Sequence, residues 1–191
     1  DNSTVINNAN MNIGDNNFGF VVLEGSYSNT AMNISMGSDS IYLVKSGSGT
    51  VTNGSGTTVT MNGSENTAFY ILNRVDFVND GTITGTAGTS NVGVHSIAST
   101  VTNNGSISLG DSDIVFKKNF GGSYSLDPNG NKIVDIERSL FTVGMYGNAS
   151  TLVNTSTGNI TVGAGGVGIG LISGSARNDG NITVNGAYSM G

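Results

Sequence analysis

Chemistry on a polysaccharide needs carboxylates close together, and two pairs have the spacing for it, Asp111 with Asp113 and Asp135 with Glu137. Residues two apart on a strand project from one face, so either pair could act as acid and base or help hold a cation. In a chain with 13 acidic residues such pairs also arise by chance, and no His or Arg motif of a pectin-degrading site accompanies them. His95 is the single histidine. It alternates with Val94, which turns it outward from its strand, and no Ser-His-Asp grouping is legible around it. Asp127, Asn129, Asn131 and Asp135 place oxygen donors at positions 1, 3, 5 and 9 of a calcium-type loop. Lys132 stands where such a loop needs Gly, and Arg138 where it needs Glu. The expectation is therefore no catalytic residue, no metal site and no cofactor.

A binding site is better supported. Lys117, Lys118, Lys132 and Arg138 are four of the seven basic residues of the chain, and Phe116, Phe120 and Tyr124 lie among them. Ile114–Phe116 and Lys132–Ile136 read as strands, with Asp127-Pro128-Asn129-Gly130 as a turn between them, because Pro presets φ and Asn-Gly accepts positive φ. Aromatic rings beside cations on an exposed loop suit recognition of a glycan or a protein receptor. The candidate ligand-binding residues are Phe116, Lys117, Lys118, Phe120, Tyr124 and Lys132. Two plainer readings stand beside this one: the aromatics seal the loop onto the body of the protein, or the segment is a degenerate structural repeat.

Composition limits the partners. The 191 residues include 30 Gly, 1 Pro and no Cys, with 10% charged residues against roughly 25% in an ordinary globular domain. Asn, Ser and Thr replace the missing charge. A net charge of −6 with only 7 Lys and Arg cannot neutralise a phosphate backbone, which argues against nucleic acid. The absence of Cys excludes a disulfide framework and thiolate metal sites. No apolar run approaches the ~18 residues of a membrane helix, and the first residues lack the pattern of a signal peptide. We expect a soluble, monomeric piece of a longer protein.

The elements that carry these residues repeat. Asn79-Asp80-Gly81-Thr82-Ile83-Thr84, Asn103-Asn104-Gly105-Ser106-Ile107-Ser108 and Asn178-Asp179-Gly180-Asn181-Ile182-Thr183 share one pattern, with stretched or divergent copies at Asn154 and Asn53. The intervals between successive Asn are 24 or 26 residues, except for one of 51. Between the Asn units lie short apolar stretches, Phe18–Leu23, Ile41–Val44, Ala68–Leu72, Val92–Ile97, Leu140–Met145 and Val167–Ile172, which read as strands. A unit of about 24 residues with two or three strands and Asn/Gly corners is one rung of a β-solenoid, stable only when stacked on its neighbours. The Ile of each unit should then form an internal ladder and the corner Asn a second ladder of amides. Some seven rungs at about 4.8 Å each would make a rod on the order of 35 Å long. An antiparallel sandwich has strands of similar length but no fixed sequence period. The oversized interval marks residues 111–138 as an insertion, a hairpin or lobe, within a single β-helical unit spanning 1–191.

Segments such as Val-Thr-Asn-Asn-Gly-Ser-Ile-Ser (101–108) and Arg-Asn-Asp-Gly-Asn-Ile-Thr-Val (177–184), each with a neighbouring short Gly-rich strand, resemble the passenger domains of large type V autotransporter adhesins. The Asn-rich, Cys-free, Pro-poor character is most similar to very large fusobacterial outer-membrane adhesins. The resemblance covers most of the chain outside 111–138. It implies a right-handed parallel β-helix, exported through a C-terminal outer-membrane barrel and displayed at the cell surface, where it attaches to a host protein, a host glycan or another bacterium. It specifies the scaffold, and leaves a purely structural stalk and a polysaccharide-active enzyme as the alternatives.

Overall fold

The computed structural model describes residues 3–191. Short runs of alternating residues give a succession of strands, and among the described residues there is no helix. The first rung is β1 (Thr4–Asn7), β2 (Met11–Ile13) and β3 (Phe18–Val22); the second is β4 (Ser26–Asn29), β5 (Asn33–Met36) and β6 (Ile41–Lys45). The third comprises β7 (Gly49–Asn53), β8 (Thr58–Met61) and β9 (Thr67–Leu72), and the fourth β10 (Val75–Asn79), β11 (Thr82–Gly85) and β12 (Val92–Ile97). The fifth is β13 (Thr100–Asn103), β14 (Ser106–Leu109) and β15 (Val143–Asn148), and the sixth β16 (Ser150–Asn154), β17 (Asn159–Val162) and β18 (Val167–Leu171). β19 (Gly174–Asn178) and β20 (Asn181–Val184) begin the seventh, and Met190 bridges Val167 in parallel where a third strand would run. Every third strand pairs in parallel, giving sheets A and B of seven strands and sheet C of six. The fold is a parallel β-solenoid.

Alternation decides which side chains enter the core. In sheet B, Met11, Ile34, Val59, Ile83, Ile107, Ile160 and Ile182 stack in register. In sheet A the inward row is Val5, Tyr27, Val51, Phe77, Val101, Leu152 and Ala176. The expected amide ladder sits at the corner between these sheets. Each Nδ2 donates to the Oδ1 of the next rung through Asn7, Asn29, Asn53, Asn79, Asn103, Asn154 and Asn178, at 2.8–3.2 Å. The ladder gives buried corner amides the partners that burial requires.

The interior is graded along the axis. Rungs two to four hold a chain of packed rings: Tyr27 and Tyr42, with hydroxyls 2.6 Å apart, then Phe69 and Phe77 at 4.8 Å. In register with Tyr42 the following rungs carry Ala68, Gly93, Gly144 and Gly168, while Val94 and Met145 follow Phe69, and Val101 and Leu152 follow Phe77. A Cβ on Gly93 or Gly144 would lie 2.5–2.6 Å from a backbone oxygen of the next rung, and one on Gly168 2.6 Å from Ile182. This crowding is the structural reason for glycine there. Lys45, whose side chain is fully buried, donates from Nζ to the carbonyls of Ser46, Gly47 and Ser48.

Two expectations need correction. The strand expected over Leu140–Met145 begins at Val143, which pairs with Val92. Leu140 instead pairs antiparallel with Asp113. The segment that leaves the rod is therefore 113–140, while Asp111 stays on the rod. The degenerate-rung reading fails as well: from Asp113 to Arg138 no residue is buried, and the segment makes only isolated antiparallel bridges.

Candidate functional site

Residues 113–140 form a lobe at the corner between sheets B and C, built as a three-way junction and not as one hairpin. At its centre three backbone groups hydrogen-bond in a ring: Lys117 N to Ile133 O, Ile133 N to Ser125 O and Ser125 N to Lys117 O, at 2.9–3.0 Å. Bridges Asp113↔Leu140 and Phe116↔Val134 make the stem, Lys118↔Tyr124 closes one leaf and Leu126↔Lys132 closes the other. The expected turn at Asp127-Pro128-Asn129-Gly130 exists, but it returns the chain from Leu126, not from Phe116.

Each leaf has its own closure. In the first, Gly122 adopts φ 82° and its N–H reaches Asn119 O. In the second, Asp127 Oδ1 accepts from the backbone N–H of Asn129 and of Asn131, and Oδ2 accepts from Asn131 Nδ2. These bonds hold the Asp127 carboxyl below the usual carboxylate range, with those from Asn131 contributing most. The oxygens that a calcium loop would spend on the ion close the turn instead.

Four of the six candidate residues come together. Lys132 Nζ lies 4.1 Å from the centre of the Tyr124 ring and 5.3 Å from that of Phe116, and Lys118 Nζ lies 5.5 Å from Tyr124. Phe116 and Tyr124 meet edge to face at 6.1 Å. Phe120 stands apart on the first leaf with its ring wholly in solvent, and Lys117 is exposed at the junction without a ring contact. Sequence reasoning missed Tyr188, whose ring packs 5.2 Å from Phe116. It belongs to the corner two rungs farther on, and only the stacking of corners brings it there. Ile114 lies over Gly165 of the intervening corner, where a Cβ would meet its side chain at 2.6 Å. The lobe thus leans along the rod across two rungs.

The remaining candidates have structural tasks. Asp111 Oδ1 caps the N–H of Ala164 at 2.7 Å, and its carbonyl accepts from Ser90. Asp113 exchanges both backbone hydrogen bonds with Leu140 in the stem. His95 lies on the outer face of sheet C between Tyr70 and Tyr146, with ring centres 4.7 and 4.8 Å away, and partial burial lowers its pKa. Among the described residues no group of three or more His, Cys, Asp or Glu could hold a metal ion, and no helix is long and apolar enough to cross a membrane.

A seven-rung parallel solenoid with one antiparallel lobe defines a β-helical domain of the pectate lyase-like class. All of residues 1–191 match the family described as the BigA third pectate lyase-like domain, and the chain belongs to that family. The membership supports a passenger-type β-helix and fits a surface-exposed extracellular adhesin. No curated protein and no solved structure matches the chain.

Proposed function

We propose that this chain is a non-catalytic segment of a bacterial surface adhesin, a stiff rod whose lobe at 113–140 contacts a receptor on a host cell or another bacterium. The observation that carries this is the lobe itself. It holds four of the seven basic residues and the Phe116–Tyr124 ring pair, which Tyr188 of the rod meets, outside a scaffold whose own Asn and Ile ladders are complete without it. Export through an outer-membrane barrel, and the likeness to fusobacterial adhesins in Asn content, belong to the same reading. A binding role is favoured over catalysis by what one of the paired acids does: Asp111 Oδ1 is taken up in capping the N–H of Ala164 at a corner of the rod.

The test replaces 113–140 by a short Gly/Ser corner and compares attachment of the two proteins to epithelial cells. Attachment lost in the deletion, with the far-UV circular dichroism unchanged, is the expected result. Equal attachment by both proteins removes recognition from the lobe and leaves the chain as a stalk.

A further inference from the structure

Resting on that reading, we infer that the lobe recognises a carboxylate-bearing sugar, held between the ammonium groups of Lys118 and Lys132 beside Tyr124. The two distances to the Tyr124 ring put the ammonium nitrogens no more than about 10 Å apart, roughly one Debye length at physiological salt. Neither has a carboxylate within salt-bridge distance, since the one ion pair among the described residues is Arg177 with Asp179. The acid on the second leaf, Asp127, is occupied by its own turn. Two cations that share the Tyr124 ring and have no counter-charge make a receptor for an anionic group.

Three features select a sugar. The junction N–H groups of Lys117, Ser125 and Ile133 donate to the carbonyls of Ile133, Lys117 and Ser125 in turn, and so are not free to pair with an added peptide strand. The two leaves, 118–124 and 126–132, contain fewer residues than the roughly 20 per side that a stable protein interface uses. Phe120, with its ring wholly in solvent on the leaf that begins at Lys118, supplies an apolar plate for a pyranose face. The charge of the whole chain, −6, repels a polyanion and favours a ligand with one or few acidic groups, such as a terminal acidic sugar.

The 191-residue protein is titrated with sialyllactose, trigalacturonate, lactose and a Glu-rich peptide, followed by amide chemical shifts and calorimetry. At least one acidic sugar should bind at least about tenfold more tightly than lactose, with affinity falling as salt rises. Lys118→Gln, Lys132→Gln and Phe120→Ala should each weaken it about tenfold or more, and Lys132→Arg should restore binding. Lys117→Gln removes the same charge away from the ring and should leave affinity within about twofold. The inference is overturned if acidic and neutral sugars bind alike, if neither acidic sugar binds, if Lys117→Gln is as damaging as Lys132→Gln, or if only the peptide binds. If the deletion abolishes cell attachment while the Lys118 and Lys132 variants retain it, the adhesin reading stands and the acidic-sugar assignment falls.

Discussion

At the scale of single residues, the ladders tolerate little change. Asn103 is fully buried, accepts from Asn79 and donates to Asn154, so Asn103→Ala orphans one donor and one acceptor in the core. Each orphan costs about 1–3 kcal/mol, and a loss of about 2–6 kcal/mol, read as a lower urea midpoint, is expected. Gly144→Ala forces a Cβ to 2.6 Å from both Gly168 O and Ile160 and should cost about 1–3 kcal/mol, whereas Gly121→Ala, on the first leaf with open space around it, should leave the midpoint unchanged. His95 gives a pH dependence. Burial depresses its folded pKa, so the neutral form is the better accommodated one. Its contribution is complete above the unfolded value of about 6.5 and is lost as pH falls through the folded value. His95→Gln should therefore melt with a smaller decrease in Tm between pH 7.5 and 5 than the parent protein, and an identical decrease would contradict the assignment.

At the scale of elements, the lobe is fastened by few contacts. Gly165, at φ 69°, lies beneath Ile114, and a larger residue there would be strained and would push the lobe away from Tyr188. Gly165→Val should raise amide exchange across 113–140 while the central rungs keep their protection, a pattern that hydrogen-exchange mass spectrometry resolves by segment. The same elements show what was legible beforehand. The Asn units from Asn53 onward were readable because Gly or a stretched corner follows at a fixed offset. Asn7 and Asn29 join the same ladder with Ala9 and Ala31 after them, so their pattern was hidden. At the other corner, the N–H of Asn17, Ser40, Asn66 and Asn91 each donates to a side chain of the next rung, but the acceptors are Ser, Asn, Asn and Thr. Geometry is conserved along that ladder while residue type is not, which leaves no period to read. The lobe was visible as an excess of residues, yet its boundaries moved by two because Leu140 looks like a strand residue and its partner Asp113 does not. The junction was unreadable for a related reason: three single bridges impose no alternation on sequence.

At the scale of the whole molecule, stability is a sum of rungs and the interfaces between them, so unfolding should proceed from an end. The two ends differ. Rungs two to four bury Tyr27, Tyr42, Phe69 and Phe77 against one another, and aromatic contacts add about 0.5–1.5 kcal/mol per pair beyond the area they bury. In the last three rungs, Gly144 and Gly168 occupy places where such bulk would clash, and all five residues of β19 are exposed. The interface terms are therefore weaker toward the C-terminal side, where the lobe also lies. Native-state hydrogen exchange in low urea should show protection highest in β7 to β13, decreasing toward β16 and β19, with β19 and β20 exchanging first. Phe77→Leu should flatten this gradient by weakening the central stack, whereas Ile182→Val should leave protection in β7 to β13 untouched. Uniform protection from β4 to β17 would mean that the rod unfolds as one cooperative unit and that aromatic packing does not set its order of opening. The gradient would leave the root of the lobe beside the well-protected β13, while the corners it leans on in rungs six and seven open more readily, so its orientation would be governed by the Phe116–Tyr188 and Ile114–Gly165 contacts more than by the stability of the rod as a whole.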